Sequence, residues 1–405
     1  MAVTPDRKPP RVAIACSWLN QYGGAERVLE TLHEMYPEAP IYTSMYAPRA
    51  MPAAFRNWDI RTSFLQRLPF SRSHHQLYLF LYPLAFEQFD LSGYDLVINN
   101  SSAFSYGVIT RPETCHVCYC LTPARFLWNY HDYARRERLN TLSRLALAPL
   151  LTNLRLWDAQ AARRVDHFVA ISRLVAGRIA KYYGRQAPII YPAIDVRAFQ
   201  PADRAEIGDY YLVVSRLVPY KRIDLAVQAF NRLGLPLKVV GRGRDLAALQ
   251  RMAKPNVQFL GRLSDADLKT LYARCRAFIF PGEEDFGLTP LEAQASGRPV
   301  IAYGAGGALE TVVEGETGAF FREPTAEALA EAVAGFRPDA LDPTGIRRHA
   351  EKFDVSVFRR QFSAFVERAL VSRDARTVEE PSTEPSSKCR EGSLLAHSPP
   401  ERGLS

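Results

Sequence analysis

The chain has 405 residues, more than one ordinary domain and suited to two of about 150–200 residues each. Hydrophobic residues make up 47% and charged residues 23%, the balance of a soluble globular protein, and no apolar run reaches the length of a spanning helix. The formal net charge is +8 and arises before the tail, because acids outnumber bases beyond Thr377; it favours phosphates, anionic lipid surfaces or nucleic acid as partners.

Residues 1–10 form a basic lead whose apolar run is too short for a signal peptide, which predicts a cytoplasmic protein. Arg11 to Trp18 reads as a first strand, and Val28, Leu29, Leu32 and Met35 recur at helical spacing after it. Gly23 and Gly24 sit at the turn between them, where missing side chains let backbone amides approach a phosphate, or simply make a tight turn. Strands follow at Ile41–Met45, Leu96–Asn100, Cys115–Leu121, His167–Ile171 and Pro188–Tyr191, with helical patterns between. That alternation predicts a parallel sheet covered on both faces. Arg61 to Phe89 breaks it by interleaving Arg and His with Leu, Phe and Tyr. It suits a membrane interface or lipid-phosphate acceptor, and equally a buried helix pair with basic flanks. Arg135 to Arg164 reads as a long helical region broken at Pro149.

Pro192 to Asp203 reads as a linker. Beyond it strands are expected at Tyr210–Ser215, Leu237–Val240, Val257–Leu260, Ala277–Phe280 and Val300–Tyr303, with a helix between each consecutive pair. The fold class is therefore α/β with two Rossmann-like doubly wound domains. The divisions are a lead over 1–10, an N-terminal domain over 11–195 and a C-terminal domain over 196–345. A helical region over 346–376 and a disordered Ser-, Pro- and Glu-rich tail over 377–405 complete the chain.

Cysteines stand at 16, 115, 118, 120, 275 and 389. Strand alternation puts Cys118 and Cys120 on one face and Cys115 on the other, and no second cluster lies at zinc spacing. They read as buried strand cysteines. Asp265-Ala266-Asp267 has the look of a metal-diphosphate motif, but Ser264 with Asp267 three residues on reads as a helix cap, so no metal site is expected.

The residues best placed for chemistry lie at carboxyl ends of C-terminal strands, where open α/β sheets bind ligands. Arg216 ends one strand and Lys221 precedes the next helix, a cationic pair suited to a diphosphate. Gly241 opens a weak nucleotide-type loop. In the stretch Phe280 to Val300, Glu284 stands in a loop and Glu292 within the following helix, placed to hold two parts of one hydroxyl-rich ligand.

Gly23-Gly24-Ala25-Glu26, Ser215-Arg216-Leu217 with Lys221-Arg222, Gly261-Arg262, and Glu284-x7-Glu292 followed by Gly-x-Pro-Val together resemble glycosyltransferase family 4, from about residue 11 to 370. Ala39-Pro40-Ile41-Tyr42-Thr43, Thr62-Ser63-Phe64-Leu65 and Glu283-Glu284-Asp285-Phe286-Gly287 resemble its O-antigen and exopolysaccharide mannosyltransferases. The resemblance implies a GT-B fold and retaining transfer of mannose from GDP-mannose to a lipid-diphosphate-linked sugar, at the cytoplasmic face of the inner membrane and without a metal. It assigns Arg216 and Lys221 to the donor diphosphate, Glu292 to the ribose and Glu284 to the transferred sugar. The Phe286, Gly287 and Leu288 amides orient that sugar, Gly23 and Gly24 close from the opposite domain, Gly241 borders the nucleotide and Arg262 the guanine. Thr122 and Arg125 fall on the acceptor side. Where relatives carry His-Thr-Pro, this chain has Leu121-Thr122-Pro123, with Arg125 or His116 as the nearby replacements. A UDP-sugar donor and a non-catalytic nucleotide-sugar-binding homologue are the alternatives; a nucleic-acid partner is not expected, since no recognition motif accompanies the positive charge.

Overall fold

Short, apolar, β-branched runs build two separate parallel sheets in the computed structural model, which describes residues 9–72, 74–130 and 140–378. Most of the 1–10 lead and of the 377–405 tail lies outside the described residues, as does 131–139 of the predicted helical region. The first sheet contains β1 (Val12–Cys16), β2 (Ile41–Thr43), β3 (Ile60–Thr62), β4 (Leu96–Ser101), β5 (Cys115–Cys120) and β6 (His167–Ala170). The second contains β7 (Tyr211–Val214), β8 (Leu237–Val240), β9 (Val257–Gly261), β10 (Phe278–Phe280), β11 (Val300–Tyr303) and β12 (Gly318–Phe321). Their orders are β3-β2-β1-β4-β5-β6 and β12-β11-β10-β7-β8-β9. Each is the doubly wound 3-2-1-4-5-6 arrangement, so the chain reverses direction between β1 and β4 and again between β7 and β10.

Strands flanking those reversals are buried on both faces, β4 and β10 completely, as parallel strands under two helix layers must be. The helix Gly24–Met35 turns Val28, Leu29 and Leu32 onto the first sheet, and Ile223–Leu233 turns Leu225, Ala226, Ala229 and Phe230 onto the second. The final helix, Val355–Val378, returns to the first domain, where Phe358 and Phe362 meet Tyr119 edge-on at 5.5 and 5.8 Å. The five described cysteines are all buried and form no disulfide among themselves.

Several expectations are corrected. Strands β3 and β12 were not anticipated, because both are short and incompletely buried edge strands. Pro188–Tyr191 is not a strand: only Ile189 bridges to Ala170, since prolines at 188 and 192 cannot donate to a ladder. The Arg61–Phe89 segment is not a buried helix pair. It opens in β3, passes through 3-10 turns at Phe64–Arg67 and His75–Leu81, and ends in the short helix Tyr82–Glu87. Thr141–Arg163 runs through Pro149 without a break; the carbonyl that loses its donor belongs to the exposed Leu145. The helical pattern over Arg347–Leu370 splits into Pro343–Glu351 and Val355–Val378.

Candidate active site

Both topological reversals open onto the same space. A cleft of about 580 Å³ separates the two sheets, and every residue given a donor or acceptor role from the sequence lines it: Gly23, Gly24, Thr122, Arg125, Arg216, Lys221, Gly241, Arg262, Glu284, Phe286, Gly287, Leu288 and Glu292. Arg216 and Lys221 come from the loop after β7 and Glu284 from the loop after β10, the two loops flanking the second reversal. Gly23 and Gly24 follow β1 and face them from the other domain.

The loop after β10 is held by close backbone packing. Gly287 caps the helix Leu288–Ala295 at φ 96°, where a side chain is strained, and a β-carbon there would stand 2.8 Å from the Phe280 ring. The Gly307 amide donates to the Glu284 carbonyl at 2.8 Å, and a β-carbon on Gly307 would meet the Phe286 backbone at 2.2 Å. Phe286 is buried and stacks on Tyr191 at 5.5 Å. Gly23, by contrast, has extended backbone and a β-carbon there would make only ordinary contacts. Its glycine leaves room in the cleft rather than relieving strain.

Charges alternate across the space. Lys221 forms an ion pair with Glu284. Glu292 is 1% exposed; one oxygen accepts from the Tyr272 hydroxyl at 2.7 Å and the other pairs with Arg27 of the opposite domain. Arg216 donates to Gln21 at 2.9 Å and to the Tyr220 hydroxyl at 2.5 Å. The Tyr220 ring also lies 5.1 Å from the Arg125 guanidinium and 5.2 Å from the Lys221 ammonium. Asp285 pairs with Arg178 and, at 3.7 Å, with Arg125, while Arg178 also donates to Thr122 at 3.1 Å.

Arg27, Arg178, Tyr220 and Gln21 were missed from sequence, and Asp285 was noticed only as part of a motif. Glu26 is buried in the cleft wall, and burial pushes its carboxyl up to about 7 against the pull of nearby amides and Arg216. Leu121 does line the cleft, but His116 does not: it is fully buried in β5, bonded to Asn99 at 2.6 Å, and burial pushes it down to about 4. Of the two candidate replacements for the missing histidine, only Arg125 faces the cleft. Ser264 caps its helix by accepting from the Asp267 amide at 3.2 Å; the Asp267 carboxylate meets the Ser264 hydroxyl rather than the backbone of a full capping box. Asp265 instead lines the cleft. Among the described residues no group of three or more His, Cys, Asp or Glu could hold a metal ion, and no helix is long and apolar enough to cross a membrane.

Two doubly wound domains facing across a cleft of this kind define the GT-B class. Solved structures agree in fold: a sucrose-phosphate synthase from Thermosynechococcus elongatus superposes with TM-score 0.69 at 17% identity, covering 89% of this chain and 100% of that one. Anabaena HepE in complex with UDP superposes with TM-score 0.64 at 18% identity, covering 88% and 100%. The family profile "Glycosyltransferase Family 4" matches residues 22–198 and "Glycosyl transferases group 1" matches 198–351, so the chain belongs to glycosyltransferase family 4. It is 32% identical over 213 residues to a GDP-mannose-dependent alpha-(1-6)-phosphatidylinositol monomannoside mannosyltransferase of Mycolicibacterium smegmatis, covering 44% of this chain and 56% of that protein. It is 39% identical over 123 residues to a GDP-mannose-dependent alpha-mannosyltransferase of the same organism, covering 30% and 32%. The chain thus spans about half the length, or less, of these curated relatives.

Proposed function

We propose that this chain is a retaining hexosyltransferase that moves mannose from GDP-mannose to a lipid-diphosphate-linked saccharide in O-antigen or exopolysaccharide synthesis. The observation carrying the reading is the convergence of Arg216, Lys221, Glu284 and Glu292 on one interdomain cleft. In this reading Arg216 and Lys221 bind the diphosphate and neutralise the charge that grows on it as the glycosidic bond breaks. Glu284, already touching Lys221, holds the sugar at the same corner, and Glu292 takes the ribose hydroxyls. The acceptor oxygen bonds to the anomeric carbon on the face the diphosphate leaves, and the acceptor's proton passes to the departing phosphate oxygen. No protein nucleophile enters this scheme, and the two cations carry the charge that a metal would otherwise bear. Thr122 and Arg125 stand on the acceptor side.

Two features support the finer points. Asp265, an acceptor-only group, lines the cleft beside Arg262 and Leu263. Guanine offers such a carboxylate two adjacent N–H donors, whereas uracil offers one between two carbonyls. Phe70, Leu77, Phe80 and Leu84 are exposed on the segment that also carries Arg67 and Arg72, a composition suited to peripheral binding at an anionic, cytoplasmic membrane face.

Mass spectrometry of products from GDP-mannose and a panel of polyprenyl-diphosphate sugars tests the whole reading, with a hexose-extended lipid expected. Thermal shifts should favour GDP over UDP, and Asp265→Ala should erase that preference. A larger shift with UDP or UDP-glucose would replace the donor while keeping the class.

A further inference from the structure

The Gly23–Gly24 turn already holds an acid of its own. Glu26, the third residue of the helix Gly24–Met35, turns back toward the helix start, so that the Gly23 amide and its own favour its charged form. A β-carbon built on Gly23 would lie 3.6 Å from the Glu26 Oε2. The glutamate stands at the third helical position, where the acid of a capping box would stand, with glycine in place of the Ser or Thr of that motif. A capping glutamate ordinarily stands in water. This one is 6% exposed and forms part of the cleft wall, facing Arg216 of the other domain.

On the proposed function, a sugar diphosphate lies against this same turn. A second anion there meets a buried carboxylate with little water to screen it. With a diphosphate beside it, the groups around Glu26 cannot hold it charged. Arg216 favours the anion, but on the reading above that cation is committed to the donor diphosphate, and Glu30 on the next helical turn opposes a second negative charge. The buried Cys16 thiol on β1 also faces it and, pushed up to about 12 by burial, brings no charge. Burial itself already lifts Glu26 to the edge of neutrality.

We propose that Glu26 is a positioning residue that shapes the donor turn, and that donor binding draws one proton from solvent onto its carboxyl. The inference rests on the reading that a nucleoside diphosphate sugar occupies the cleft. The proton bonds to one carboxylate oxygen, the other stays turned toward the Gly23–Gly24 backbone, and the turn retains its shape without repelling the diphosphate. Donor affinity then falls as pH rises through about 7, because the free carboxyl must be reprotonated before the donor can bind.

Isothermal titration of the full chain with GDP-mannose, whose diphosphate is a diester with no proton to titrate in this range, measures the linkage. The titrations run from pH 6.5 to 8.5 in two buffers of different ionisation enthalpy, with UDP-glucose in parallel. No histidine among the described residues lines the cleft to confuse the result. The wild type should take up close to one proton per donor at pH 8, its Kd weakening up to about tenfold per pH unit above 7. Glu26→Gln should bind with no uptake and a Kd that changes less than about twofold over the range. Binding to the wild type without proton uptake would overturn the inference and leave the proposed function standing, whether or not the variant folds. Equal uptake in wild type and a folded Glu26→Gln would overturn it too, by placing the proton elsewhere. No binding of GDP-mannose, GDP, UDP or UDP-glucose to the wild type would sink the proposed function and the inference together.

Discussion

Lys221 and Glu284 touch one another across a corner that the donor diphosphate and its sugar would share. On the proposed function each orients the other as well as the ligand. Lys221→Ala and Glu284→Ala should each lower kcat by about 10²–10³-fold, the usual cost of removing one preorganised electrostatic contact. Matched melting curves and a transfer assay check this, and near-wild-type turnover in both would remove the mechanism. Gly287 is a different case, because its role is conformational. At φ 96°, with the Phe280 ring 2.8 Å from any added β-carbon, Gly287→Ala should cost about 1–3 kcal/mol of stability and disturb the loop that carries Glu284. A lower Tm together with weaker donor binding is the expected result. The Glu284-x7-Glu292 spacing was legible at this scale because both residues belong to one loop and the helix it starts. The partners of Glu292 were not legible: Arg27 lies 265 residues away in the chain and Tyr272 20 away.

At the scale of elements, strand β5 carries the least compliant titratable group. His116 is wholly enclosed, and its lowered pKa means that the fold holds it neutral while the unfolded chain binds a proton below about 6.5. Stability is therefore intact above that pH and is lost as pH falls toward 4, by up to about 3 kcal/mol from this residue. Thermal melts from pH 7 to 4 should fall steeply, and His116→Gln should flatten part of the decline. That His116 stays out of the cleft follows from strand alternation, because a position five residues before Leu121 faces the other way. The strands easiest to read were the central ones, because burial on both faces demands continuous apolar runs. Edge strands β3 and β12 escaped notice for the opposite reason, as did the 3-10 turns of His75–Leu81, whose aromatic and leucine residues imitate a helical stripe.

Across the whole molecule, the cleft is closed by contacts that join the two domains: Arg27 to Glu292, Gln21 to Arg216, Arg125 and Arg178 to Asp285, and the Arg173 amide to Glu310 at 2.9 Å. Asp285 is the sparest of these, one carboxylate serving two arginines. Asp285→Asn leaves both guanidiniums short of a counter-charge and should lower kcat/KM by about thirtyfold, equivalent to some 2 kcal/mol. Small-angle scattering should report a larger radius of gyration for that variant; an unchanged radius with unchanged kinetics would mean that the contact does not govern closure.

The amino-acid order alone determined the two doubly wound domains, the loops that would carry chemistry, and the cationic and acidic residues on them. Periodic burial and strand-end chemistry are local properties, written within a dozen residues. Only the folded chain decided which residues oppose one another across the cleft: that Arg27 faces Glu292, that Asp285 answers two arginines, and that a helix-capping glutamate ends up buried beside the donor turn. Those pairings arise from packing one domain on another, and contacts between surfaces hundreds of residues apart leave no period or spacing in the sequence.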